Sequence, residues 1–195
     1  MRALLLFKEN INIKGTEMLE GIVRESIGKT TAKKLRRDGY LTANLYANGV
    51  ENIQAAFKRG EFVRAVRKKE TLAFPVKVGD KELNVVIQEY QLHPVHGEVV
   101  HVDLRIAVPG QMTDFLVPVI THGTPIGLKN KGVLVISKKR LKVRGAIEDM
   151  PAKFDLDVEG LNRDDSILVR DIETPDKCKL MDRLDVAICG VIKSK

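Results

Sequence analysis

From Leu19 onward, short hydrophobic runs alternate with turn residues, a pattern of many strands and few helices. Residues 19–26 alternate loosely. Ala43, Leu45 and Ala47 share the inward parity of a second strand, which Asn48-Gly49 closes as a tight turn. Strands at 72–78 and 83–90 follow, joined in hairpin fashion by Gly79-Asp80. His93-Pro94 breaks the second of them, and another strand over 99–107 begins after the turn at Gly97. Two short helices interrupt this series. One is capped by Thr30 or Thr31 and ended by Gly39. The other, over 61–69, carries Phe62, Val63 and Val66 on one face and Arg64, Arg67 and Lys68 elsewhere. Beyond a plausible linker at Val108-Pro109-Gly110, strands are predicted at 114–120, 132–136, 139–145, 153–158, 166–170 and 184–192. The expected fold is therefore mainly β with a few short helices, in two domains over 18–107 and 108–195.

The first residues stand apart. Ala3-Leu4-Leu5-Leu6-Phe7 is an apolar run of only five residues, ended by Lys8-Glu9 with no small-residue cleavage site after it. Met18 opens the first strand-like segment, so Met18 is read as the biological start and residues 1–17 as a disordered extension or an upstream sequence.

Composition narrows the class. With 195 residues, 44% hydrophobic and 30% charged, the chain can bury one large core or two small ones. No run approaches the roughly eighteen apolar residues that cross a bilayer. Cys178 and Cys189 are too far apart for a C-x-x-C motif and read as reduced, buried thiols of a cytosolic protein.

Charge changes the picture more than composition does. The formal net charge is +7, and it is concentrated: Arg24 to Arg37 holds six basic residues against the single acid Glu25. From Val108 to Lys195 there are 15 basic and 13 acidic residues, close to balance. A polyanion contact therefore belongs mainly to the first half. Lys33, Arg36 and Arg37 fall at i, i+3 and i+4 and share a helix face, with Lys34 beside it and Leu35 on the anchoring side. Lys29 is placed in the loop just before, where a helix N-terminus attracts phosphate. A solvated charged face is the ordinary reading of such a run. Here no acids interleave, so the repulsion is uncompensated and nucleic acid is the favoured partner.

Other motifs fail on spacing. Gly28-Lys29-Thr30 resembles the end of a phosphate-binding loop, but Val23 stands where that loop needs glycine. His93, His96 and His101 match no zinc pattern, so neither a metal nor a cofactor is expected. His101 and Asp103 are two apart on a strand and share a face. Together with Gln88, Gln91 and His93 they could reach base edges, sugars or phosphates, or simply tie strands together. A catalytic dyad would lack a nucleophile, since neither Ser26 nor Ser137 sits in a motif.

Two segments together, GKTTAKKLRRDGYLTANLYANG and QEYQLHPVHGEVVHVDLRIA, resemble the bacterial large-subunit ribosomal protein family L-twenty-five, also called general stress protein Ctc. The first element is matched at Gly28, Lys29, Leu35, Arg36, Gly39 and Tyr46. The second is matched at Gln88, Gln91, His93, Pro94, His101 and Asp103. GTPIGLKNKGVL and LDVEGLNRDDSILVRDI are similar to the second domain of the longer members, so the resemblance spans about residues 18–192.

That resemblance implies an RNA-binding β-barrel, similar to the anticodon-binding region of glutaminyl-tRNA synthetase, followed by a β-rich C-terminal domain. It implies a cytoplasmic, ribosome-associated structural protein of the large subunit that binds 5S rRNA in the central protuberance. Neighbouring subunit proteins or rRNA would be further partners; enzymatic activity, membrane contact and small-molecule substrates are not expected. The RNA-facing residues it implies are Arg24, Lys29, Lys33, Lys34, Arg36, Gln88, His101 and Asp103. Arg37 joins them from the basic cluster, with Tyr46, Gln91 and His93 at the margin. An RNA-binding stress regulator acting off the ribosome is the alternative. Four positions depart from the family pattern. Thr42 replaces a proline expected before the second strand, and Ala47 a glycine after the tyrosine. Ala32 replaces a small hydroxyl, and Asp164 a glycine, so a left-handed turn at Asp164 would be strained.

Overall fold

A computed structural model describes residues 18–24 and 26–193, and the expectation for residues 1–17 lies outside them. The first domain contains strands β1 (Leu19–Val23), β2 (Tyr40–Ala47), β3 (Val50–Lys58), β4 (Phe74–Val78), β5 (Lys81–Leu92) and β6 (Val99–Ile106). They close into a barrel in the order β1-β3-β2-β6-β5-β4, with β2–β6 and β1–β4 parallel. Closure removes the exposed edges that an open sheet would leave. Leu41, Ala43 and Leu45 of β2 point inward with Phe57, Val76, Val85, Val102 and Leu104, as strand alternation requires.

β3 is absent from the sequence-based reading. Its residues, VENIQAAFK, carry four polar side chains and two alanines, a composition poor in β-formers. What makes it a strand is its position between β1 and β2, where Ala55, Ala56 and Phe57 are fully buried. Asn48-Gly49 does turn the chain, and Gly49 takes φ +77° there. The turn leads directly into β3.

Helix α1 (Lys29–Arg37) packs on β2. Its first helical residue is Lys29 rather than Thr31, which corrects the expected start. Gly28 is the N-cap, in extended conformation with no side-chain cap, and the Ala32 N–H bonds back to the Gly28 carbonyl at 3.0 Å. Neither threonine caps; the Thr31 hydroxyl lies 3.3 Å from that of Ser26. Thr31, Ala32 and Leu35 are half-buried, while Lys33, Lys34, Arg36 and Arg37 are exposed. Thr42 lies inside β2, not before it, and is almost fully buried. Its hydroxyl donates to the Val100 carbonyl at 3.1 Å. Helix α2 (Arg59–Lys68) buries Phe62 and Ala65 against the barrel core.

The second domain holds β7 (Thr113–His122), β8 (Gly132–Ile136), β9 (Arg140–Gly145), β10 (Phe154–Asp157), β11 (Ser166–Leu168), β12 (Lys179–Leu180) and β13 (Ala187–Lys193). One sheet runs β10-β7-β9-β12 and the other β11-β13-β8. The two-residue β12 went unread, being too short to show a period. The expected strand over 166–170 ends at Leu168, where a 3-10 turn over Val169–Asp171 begins. Asp164 has φ +72°, a left-handed conformation in which a residue with a Cβ is strained. Cys178 and Cys189 are free and buried, and burial raises the pKa of both thiols.

The segment read as a linker joins two packed bodies. Leu72, Ala73, Val86 and Ala107, all from the barrel side, belong to the second core with Phe115, Val117, Leu141 and Ile188. Arg105 Nη1 also donates to the Asp114 carbonyl at 2.9 Å.

Asp114 ties β7 to β9 through Arg144 (Nη2 to Oδ2, 3.1 Å) and Lys142 (3.1 Å). The Arg144 hydrogen bonds are the main reason its carboxyl is held at about 2, below the ordinary 3.8. A depressed carboxylate stabilises the fold above its unfolded pKa and loses that contribution as pH falls through the folded one. Asp114→Asn should therefore lower the thermal midpoint at neutral pH. The gap from the parent should close between about pH 4 and pH 2. A gap that persists at the acid end would refute the assignment.

Candidate nucleic-acid interface

Four strands and one helix build the surface. β6 turns His101, Asp103 and Arg105 outward between inward Val102 and Leu104. In register, His101 lies between Thr42 of β2 and Gln91 of β5. Asp103 lies between Asn44 and Glu89, and Asn44 in turn opposes Gln54 of β3. The Arg24 N–H continues the row by donating to the Gln54 carbonyl at 2.8 Å. A polar stripe thus crosses four strands of the barrel, β5, β6, β2 and β3, and ends at Arg24 just past β1.

Helix α1 brings its cations to this stripe. Burial lowers the pKa of His101; Asp103 opposes that shift, while Arg36 and Arg24 add to it. Arg36, Arg24 and Asp103 are therefore electrostatic neighbours of one neutral imidazole. His101 Nδ1 lies 3.7 Å from Asp103 Oδ1, too far for a hydrogen bond. Tyr46 has its pKa raised by burial and by Asp103, which keeps the phenol protonated and able to donate.

Among the described residues, four buried side-chain atoms have no hydrogen-bond partner in the chain: Arg24 Nε, Arg59 Nε, Gln88 Oε1 and His101 Nδ1. A buried polar group left unmatched costs about 1–3 kcal/mol, unless water or a ligand meets it. Three of the four were singled out from sequence.

The fold distributes the remaining candidates unevenly. Lys29, Lys33, Lys34, Arg36 and Arg37 all ride on α1. Gln91 is exposed beside His101. Gln88 sits at a bulge between Ile87 and Glu89, and its carbonyl accepts from Arg140 Nη1 at 3.2 Å. His93 builds the β5–β6 turn: its Nδ1 accepts from the Val95 and His96 N–H groups, both at 3.3 Å, and its ring stacks on His96. Only Nε2 is left for a ligand.

Sequence reasoning passed over Asn44, Gln54, Glu89 and Arg59. Asn44 was legible, since it has outward parity between Ala43 and Leu45. Gln54 was hidden with β3. Arg59 gave no signal. It bridges Glu98 in the β5–β6 turn and the Arg36 carbonyl at the end of α1, so it fixes the basic helix against the stripe. Among the described residues no group of three or more His, Cys, Asp or Glu side chains is placed to hold a metal. No helix among them is long and apolar enough to cross a membrane.

Comparison with known proteins matches both halves. The Ribosomal L25p family matches residues 19–104, and the family described as ribosomal protein TL5, C-terminal domain, matches residues 113–195. Large ribosomal subunit protein bL25 of Nitratiruptor sp. is 61% identical over 178 residues, covering 91% of this chain and 100% of that protein. The proteins of the same name from Wolinella succinogenes and Helicobacter pylori are 54% and 51% identical, each over the same shares. These relatives carry the name of a large ribosomal subunit protein. The barrel with its basic helix, the second β-rich domain and these identities lead to one assignment: the chain belongs to the bL25 family of large ribosomal subunit proteins.

Proposed function

We propose that this protein is a cytoplasmic, ribosome-associated component that binds 5S rRNA through α1 and the polar stripe beneath it. The observation that carries this reading is the pairing of five exposed cations on α1 with buried, unpaired Arg24 Nε and His101 Nδ1 beside them. Cations alone would bind any polyanion; unmatched polar atoms demand a partner of defined shape. Duplex RNA offers phosphates and sugar hydroxyls, and an internal loop opens base edges to side chains. Lys33, Lys34, Arg36 and Arg37 neutralise phosphates. Asp103, facing a polyanion at a cost, accepts from base amino groups, and His101 and Tyr46 supply neutral donors or acceptors. The second domain contacts neighbouring subunit proteins or rRNA. The ribosomal names of the relatives favour this reading over a regulator acting off the ribosome.

The test is a salt titration of the purified chain with 5S rRNA and with a same-length control duplex. About five neutralised phosphates give a log–log slope of roughly −3.5 to −4.5. Asp103→Ala should leave that slope intact and narrow the preference for 5S rRNA over the control by about tenfold. Equal affinity of the parent protein for both RNAs would sink the specific reading.

A further inference from the structure

A second concavity lies away from the stripe, where α2 and β5 meet β7 and β9 of the second domain. It has a volume of about 350 Å³, at the lower end of the roughly 300–1,000 Å³ typical of small-molecule sites. Phe62, Leu72, Leu116 and Pro118 supply apolar walls. Arg67, Lys69 and Arg140 also line it, and among the described residues no carboxylate does.

Lys69 and Arg140 are both half-buried in this largely apolar cleft, and without a counter-ion among the described residues that is costly, whereas Arg67 is exposed. Each of these two has a weak substitute. Lys69 Nζ donates to the Leu72 carbonyl at 3.2 Å and stands 5.7 Å from the centre of the Phe74 ring. Arg140 covers one face of Tyr90, its guanidinium carbon 4.6 Å from the ring centre. Burial, then the charge of Arg140, lowers the Lys69 pKa to about 8. These groups match an anion attached to a flat, stackable body.

We propose that this interdomain cleft binds a 5′-mononucleotide, its base against Tyr90 and its phosphate between Lys69 and Arg140. The nucleotide is either free or a splayed residue of an RNA strand; both present the same base and phosphate. The site is separate from the 5S rRNA surface, and its residues do not enter that reading. Because both domains line it, occupancy also stiffens their junction.

The test titrates the full-length chain with adenosine 5′-monophosphate, adenosine and inorganic phosphate, followed by NMR. The monophosphate should saturate below about 5 mM and bind at least about tenfold tighter than either fragment, with shifts at Tyr90 and Leu116. Lys69→Met should weaken it about tenfold. Tyr90→Ala should do the same, and it alters a side chain already 44% exposed, so the fold is spared. Raising pH from about 7 to about 9 should weaken binding as Lys69 loses its proton. Arg67 on α2 and Arg140 on β9 stay charged over that range, and the phosphate is already a dianion. A short oligoadenylate binding more tightly than the monophosphate, and still sensitive to Lys69→Met, assigns an RNA strand; equal or weaker binding assigns the free nucleotide. Absence of saturation by both probes overturns the proposal. So does binding that both substitutions leave unchanged.

Discussion

Replacing Lys33, Lys34, Arg36 and Arg37 together by alanine should cut affinity for 5S rRNA by about three orders of magnitude at 0.1 M salt. Each neutralised phosphate contributes about 0.7–0.9 to the log–log slope, and that slope acts over the decade separating 0.1 M from 1 M salt. Four lost contacts therefore remove roughly 10³ in binding and flatten the slope by about three units. The protein itself should survive. All four side chains are exposed and none belongs to a core cluster, while alanine is the best helix former. Relief of cation repulsion on α1 works in the same direction. The measurement is filter binding across a salt series, beside a thermal melt. A loss below about tenfold with an unchanged slope would place the RNA elsewhere.

The second large effect concerns the barrel interior. Phe57 on β3 is fully buried and packs its ring 6.1 Å from that of Phe62. Gly21 on β1 lies directly against that ring: a Cβ there would sit 2.4 Å from Phe57 Cε1. The glycine is needed for space, not for backbone conformation. Phe57→Ala should cost about 3–5 kcal/mol, a large share of the roughly 5–15 kcal/mol reserve of an ordinary domain. Gly21→Ala should cost about 1–3 kcal/mol through overpacking. Combining Gly21→Ala with Phe57→Leu should cost less than the sum of the two, because the smaller side chain vacates the clash. Denaturant titration of the four proteins closes the cycle. Strict additivity would show that the ring and the glycine do not compete for one space.

Arg59 shows why a surface can be well placed without every contributor being visible in sequence. It touches Glu98 and the Arg36 carbonyl, residues 39 and 23 positions away along the chain. Nothing in EFVRAVRKK or its flanks announces such a bridge. The five cations of α1, in contrast, are neighbours in sequence, and all five face solvent.

Local information sufficed wherever one period and one turn decided the outcome. The inward set Ala43 and Leu45, the turn at Asn48-Gly49 and the shared face of His101 and Asp103 all follow from strand alternation and turn chemistry. The left-handed turn at Asp164, with φ +72°, was expected from the family resemblance and not from local pattern. Long-range packing decided the rest. β3 is a strand because two neighbours hydrogen-bond to it, although its own residues favour no strand. Leu72, Ala73, Val86 and Ala107 look like barrel residues, yet they complete the second core because Phe115 and Leu141 fold back onto them. Propensity and periodicity are written residue by residue. Which faces meet, and which charges are left facing one another in a cleft, depends on the whole chain closing.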